Sequence, residues 1–127
     1  MQEIIRIIEN LASFKIYTII DLHQDMMSSK FNAYDGVPLW IVEQLPSPQF
    51  AFPWPFKDGS KLVFEAYLTD ACGFAFKCLY KNINNFRDYF LQYWSIIAQN
   101  LANQSSVLGY ELINEPWAGD IYNNPVN

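Results

Sequence analysis

The sequence predicts an α/β fold built from parallel βα units, and three observations carry that prediction. Two runs rich in β-branched and aromatic residues, Lys15–Leu22 (KIYTIIDL) and Val107–Ile113 (VLGYELI), have strand length and little polar alternation. That pattern suits strands covered on both faces, as parallel strands usually are. Each run stops in a polar cluster, His23-Gln24-Asp25 after the first and Asn114-Glu115 after the second. Helical patterns precede and separate the runs, giving helix, strand, helices, strand, with a polar loop after each strand.

Each element has a local reason. Ile4, Ile5, Ile8, Leu11 and Ala12 fall on one side of a helix over residues 3–12, with Glu3, Arg6, Glu9 and Asn10 on the other. Its charges and the lack of a small-residue cleavage site read as a helix and not a signal peptide. Either the chain is cytosolic or its native amino terminus lies upstream. Residues 26–61 form a long irregular stretch with Pro38, Pro46, Pro48, Pro53 and Pro55 and turn signals at Asp35-Gly36 and Asp58-Gly59. Loops of that length in compact domains are commonly functional, so the aromatic-rich stretch reads as a substrate-shaping insertion with a short helix at Pro38–Gln44. A self-packed cover is the alternative. Leu62–Tyr80 is predicted helical in part, with a break at Gly73. Phe86, Phe90, Tyr93, Trp94, Ile97 and Leu101 make the clearest helical stripe, a core face, with Asn82, Asn84 and Asn85 as caps and Asp88 in the first turn. Pro116 ends the last strand by removing a backbone donor.

At 127 residues the chain is one domain or a part of one. Two strands neither close a barrel nor cover their own faces, and a barrel of such units takes about 250 residues. The chain therefore reads as the middle of one domain. With two open parallel edges, these residues alone are expected to aggregate or stay molten.

Composition excludes several functions. The net charge of −5, with no cluster of Lys and Arg, argues against a nucleic-acid partner. No apolar run reaches the roughly 18 residues of a membrane span. One His among scattered carboxylates lacks metal-ligand spacing, so no metal is expected. No Ser or Cys sits on a nucleophile elbow. Cys72 and Cys78, six apart, lie on different faces of a continuous helix, so two buried thiols are expected; whether they pair depends on a helix break. The sequon Asn103-Gln104-Ser105 is a weak sign of secretion. The 17% aromatic content suits a carbohydrate or lipid cleft as well as a core.

The chemistry sits at the strand ends. Alternation puts Asp21, His23 and Asp25 on one face of the first strand. On the second it groups Glu111, Ile113 and Glu115, so Asn114 and Glu115 share a cleft only if the strand end is distorted. A carboxyl against the Trp117 indole would have a raised pKa and could protonate a leaving oxygen. Asn114 could hold a sugar hydroxyl, with His23 and Asp25 orienting another. Such a set is half of a glycosidase, whose usual mechanism needs a second carboxylate across the sugar. Asn-Glu-Pro also caps helices, and His23 alone could be a core histidine.

The segments IDLHQDMMSSKF (Ile20–Phe31), DGVPLW (Asp35–Trp40) and VLGYELINEPWAGD (Val107–Asp120) together resemble endoglycoceramidases and their relatives in glycoside hydrolase family 5. The resemblance spans nearly the whole chain. It implies a partial (β/α)8 TIM barrel, about the third and fourth βα units with a long aromatic loop insertion, and so residues 1–127 as part of a single catalytic domain. It implies Glu115 as general acid/base, with Asn114, His23, Asp25, Trp117 and Trp40 as substrate-binding residues. The implied reaction is retaining hydrolysis of the glycan–ceramide bond of glycosphingolipids without a cofactor. The β-glucosylceramidase and β-glucan hydrolase reactions on the same barrel, or a non-catalytic glycolipid-binding product, are the alternatives. A secreted or lysosomal location and contact with a membrane surface are implied as well. The family's nucleophile, a Glu on about the seventh strand, has no counterpart here, and Glu111 lies about 13 Å below the strand tip. This chain alone is therefore expected to be inactive.

Overall fold

A computed structural model describes residues 1–25, 27–59, 64–123 and 125. The chain divides into two compact units, Met1–His23 with Tyr89–Asn114 and Gln24–Asp88 with Glu115–Asn127.

The first unit holds helix α1 (Gln2–Ser13), strand β1 (Thr18–Asp21), most of helix α4 (Phe86–Leu101) and strand β2 (Val107–Glu111). Ile8, Trp94, Ile97 and Leu101 form its buried core, and Ile5, Ile20, Leu22, Phe90 and Val107 pack against it. The helical periodicity of both segments thus becomes one packed layer on one face of the strands. Of the aromatic stripe on α4, Tyr93 departs from expectation and is exposed.

β1 and β2 are parallel neighbours, pairing Thr18 with Val107, Ile19 with Gly109, Ile20 with Tyr110 and Asp21 with Glu111. The register slips between Thr18 and Ile19, where β2 passes over Leu108. Both strands are shorter than predicted. β1 starts late because Lys15, at φ 61°, closes α1. Lys15 N–H donates to the Ala12 carbonyl and Ile16 N–H to that of Leu11. That is a Schellman cap, with lysine in the seat glycine usually fills. Two strands were not expected to cover their own faces, and one face of this pair is open. Ile19 and Leu108 are 63% and 68% exposed, while Ile20, Leu22 and Val107 pack against the helical layer of their own unit.

In the second unit the long irregular stretch packs largely on itself. A 3-10 turn at Ser29–Phe31 is capped by Ser28, and helix α2 (Leu39–Glu43) follows Pro38, where a short helix was expected. Met27, Phe31, Ile41 and Val42 are buried, Phe31 meets Phe52 at 5.9 Å, and Phe50 stacks on Trp54 at 4.1 Å. A groove of about 260 Å³ runs along this unit, lined by Lys30, Phe31, Val42, Pro46, Phe52 and Phe74 among others.

Helix α3 (Asp70–Tyr80) corrects the sequence reading. The break lies before it, where a 3-10 turn at Phe64–Leu68 gives way to Thr69, whose hydroxyl accepts from Cys72 N–H. Residues 62 and 63 of the predicted segment lie outside the described residues. Gly73 sits inside a continuous helix because the backbone of Gly119 passes over it: a Cβ there would stand 2.7 Å from the Gly119 carbonyl oxygen. Alanine in a helix gains about 0.5–1 kcal/mol over glycine, but overpacking against backbone costs about 1–3 kcal/mol. The clash wins. Gly73→Ala is expected to lower stability by about 1–2 kcal/mol, read as a lower urea midpoint at unchanged slope; an unchanged or raised midpoint would show that the contact is loose.

Cys72 and Cys78 are both buried and unpaired on this helix. Burial pushes their thiols up to about 12 and about 11. Three asparagines, Asn82, Asn84 and Asn85, take left-handed φ angles between α3 and α4, a region asparagine tolerates better than most residues. Asn82 is the working cap: its side chain accepts from Asp88 N–H and donates to the Asp88 carboxylate.

Candidate active site

Each strand delivers polar side chains to its carboxyl end. β1 stops at Asp21, and the Asp21 carboxylate accepts a 2.7 Å hydrogen bond from His23 Nδ1. That i, i+2 contact follows from strand alternation, and it fixes the imidazole tautomer. Asp21 was not singled out as a site residue in the sequence; its place two residues before His23 was the available signal. β2 stops at Glu111, before the polar tip, and Trp94 Nε1 donates to the Leu112 carbonyl at 3.0 Å. The indole, edge-on to Tyr110 at 5.8 Å, holds the exit of β2 two residues before Asn114. His23 and Asn114 are the last residues of the first unit's two segments.

Glu115 opens the second unit's last segment at φ 39°. That angle is uncommon for a residue with a side chain and is doubly unusual before proline. The strand's alternation therefore ends before Glu115. Glu115 is exposed. The Trp117 indole, the expected neighbour of Glu115, stacks on Tyr67, with centroids 6.1 Å apart and planes at 28°.

The segment after Glu115 is clamped to α3. Tyr80 donates its hydroxyl proton to the Trp117 carbonyl, and Tyr122 likewise to the Leu68 carbonyl. Lys77 Nζ lies 2.7 Å from the buried Asp120 carboxylate, which also accepts from the Asn123 side chain at 2.7 Å. Asn123 donates in turn to Asp70, itself an acceptor of Phe50 N–H. Burial pushes the Asp120 carboxyl up, but hydrogen bonds from Lys77 and Asn123 outweigh it and hold the group below its ordinary 3.8. A carboxyl depressed in the folded state contributes stability above the unfolded pKa and loses it as pH falls through the folded one. Asp120→Asn is accordingly expected to remove part of the fall in Tm on acidification below pH 3.8; identical acid limbs for both proteins would contradict the clamp. Neither Asp70 nor Asp120 was read as structural from sequence, although Thr69-Asp70 has the form of a helix start.

Gln24, Asp25, Cys72 and Glu115 surround Tyr67 electrostatically. Burial is the main cause that pushes its phenol up to about 12; Cys72, Glu115 and Asp25 add to the rise, and Gln24 opposes it. Tyr67 Oη and Trp117 Nε1 are buried, and among the described residues neither makes a hydrogen bond of good geometry. A buried polar group left so costs about 1–3 kcal/mol. Tyr67 was missed in the sequence because it stands in a 3-10 turn with no spacing to either motif. Of the predicted binding residues, Asp25 and Trp117 thus belong to the environment that also includes Glu115, all within the second unit. The exposed Asp25 receives its backbone order from Asp35, whose carboxylate accepts Asp25 N–H at 3.3 Å. Trp40 stands on α2, half exposed, with its carbonyl accepting from the Gln44 side chain.

Among the described residues no group of three or more His, Cys, Asp or Glu side chains could hold a metal ion, and no helix is long and apolar enough to cross a membrane.

The model of the cellulase family, glycosyl hydrolase family 5, matches residues 1–125. The chain belongs to glycosyl hydrolase family 5. This family 5 chain is 39% identical to an endoglycoceramidase of Cyanea nozakii and 37% identical to one of Hydra vulgaris, in each case over 94% of its own length and 26% of the relative. It is 25% identical to endoglycoceramidase I of Rhodococcus hoagii (strain 103S) over 89% of its length and 21% of the relative. The chain thus spans about a quarter of the length of the curated relatives it matches. No solved structure matches at a significant level. The resemblance seen in the three sequence segments is therefore a family membership, and the relatives are glycosidases by name.

Proposed function

We propose that this family 5 chain carries the acid/base half of a retaining glycosidase that cleaves the bond between a glycan and ceramide. The observation that carries the reading is the Asn114-Glu115 pair just past the end of β2, in a chain 39% identical to a relative named endoglycoceramidase. In this proposal β1 and β2 are adjacent strands of a (β/α)8 barrel and residues 1–127 are part of one catalytic domain, an arrangement their parallel pairing supports. The carboxyl edge of such a barrel is where active sites form.

Glu115 gives its proton to the glycosidic oxygen as the C1–O bond breaks, while a second carboxylate, supplied from beyond residues 1–127, bonds C1. Ceramide leaves as the alcohol. Glu115, now ionised, takes a proton from water; the water oxygen bonds C1 and frees the second carboxylate. Glu111 is not assigned that second role: it is the last residue of β2, where it pairs with Asp21. Asn114 and His23 are assigned to the same sugar on motif alone. Asp25 shares the Tyr67 environment with Glu115, which supports its assignment. The mostly apolar groove along the insertion supports a lipid-linked substrate over a soluble β-glucan.

The full-length protein, given a glycosphingolipid and a soluble β-glucan side by side, is expected to hydrolyse the glycolipid and to release a sugar first seen by NMR as the β anomer. Release of the α anomer, or turnover of the glucan alone, would overturn the proposal.

A further inference from the structure

Asn103-Gln104-Ser105 is the only Asn-X-Ser/Thr triplet in the sequence, and no proline stands at its centre. The structure puts it in the turn that joins α4 to β2, with Asn103 and Ser105 both exposed. Main-chain bonds hold this turn. Gln104 N–H donates to the Leu101 carbonyl at 2.9 Å, Val107 N–H to the Gln104 carbonyl at 3.0 Å, and Thr18 N–H to the Ser106 carbonyl at 2.9 Å. The turn therefore forms without help from the Asn103 or Ser105 side chains. Asn100, also exposed, differs on both counts: its amide donates to the Ile96 carbonyl, and no Ser or Thr stands two residues on.

The turn lies at the end of the sheet away from the polar tips. β1 and β2 are parallel, so their amino ends share one edge and their carboxyl ends the other. Residue 103 precedes the amino end of β2, and the strand, about 13 Å long at normal rise, separates that edge from the end that leads to Asn114. A bulky hydrophilic group on Asn103 is thus carried in solvent at the amino edge and leaves the carboxyl edge open.

We propose that Asn103 is an N-glycosylation site and that the protein passes through the secretory pathway. Asn103 Nδ2 bonds C1 of an oligosaccharide carried on a polyprenyl diphosphate. The C1–O bond to the diphosphate breaks, the amide gives up one proton, and the polyprenyl diphosphate leaves. Ser105 supplies the hydroxyl that completes the acceptor triplet. The inference goes beyond the glycosidase reading and does not rest on it.

The test maps peptides of the full-length protein from its own cells, before and after peptide-N-glycosidase treatment in heavy-oxygen water. Asn103 is expected to carry an oligosaccharide whose removal leaves an aspartate labelled with heavy oxygen. Re-expressed in the same cells, Ser105→Ala is expected to leave Asn103 bare and Ser105→Thr to keep it occupied. Asn103→Gln is expected to keep wild-type kcat/KM on a lactosyl glycosphingolipid and a wild-type urea midpoint, since the amino edge is remote from the polar tips. A bare Asn103 in the wild type overturns the inference, as does a glycan retained on Asn103 in Ser105→Ala; glycolipid turnover in the same samples keeps the glycosidase reading standing. An occupied Asn103 in a protein that does not cleave glycolipid supports the inference and overturns the glycosidase reading instead.

Discussion

Glu115→Gln in the full-length protein is expected to cut kcat/KM for glycosphingolipid hydrolysis about 100- to 10,000-fold, the usual range for losing a general acid/base. The amide keeps the size and much of the hydrogen bonding of the carboxyl group but has no proton to give. Glu115 is exposed, so glycolipid binding and the unfolding midpoint are expected to stay near wild type. The leaving group supplies a second readout. An aryl glycoside whose phenol leaves without protonation is expected to lose much less in the bond-breaking step than a ceramide-linked glycan. Equal losses on both substrates, or binding lost in step with turnover, would show that Glu115 holds the substrate and does not transfer a proton.

The second large effect is expected in the fold. Trp94→Ala is predicted to destabilise by about 3–5 kcal/mol, the range for truncating a buried aromatic. Trp94 is central to the cluster with Ile8, Ile97 and Leu101, and its Nε1 hydrogen bond holds the Leu112 carbonyl. Removing it leaves a cavity between α1, α4 and the strands and releases the exit of β2 that leads to Asn114. Activity is therefore expected to fall at temperatures where the variant is still folded. A loss under about 1 kcal/mol would mean that this core collapses easily around the gap.

Much of the first unit was legible in sequence, because α1 and α4 each bury a periodic stripe and parallel order follows from helix and strand alternation. The strand limits were not. Lys15 occupies a cap position that sequence rules reserve for glycine, so the residues that read as the start of β1 belong to the end of α1. Gly73 misled in the opposite way: an isolated glycine suggests a break, whereas its cause is the Gly119 backbone, a partner remote in sequence. The apolar faces of Ile19 and Leu108 record what the sequence is built to bury, and pattern alone does not say which segment covers them. Strand-end position singled out His23, Asp25, Asn114 and Glu115 as candidates. Asp21, Tyr67, Asp70 and Asp120 emerged only from contacts, since their partners are set by the fold or, for Asp21, by a spacing too short to stand out.

The measurement that tests the central claim most directly is product analysis by mass spectrometry after the full-length protein meets a lactosyl glycosphingolipid. Cleavage at the glycan–ceramide bond predicts intact lactose and free ceramide in equal amounts. Galactose with glucosylceramide would place the cut one sugar away and contradict the account.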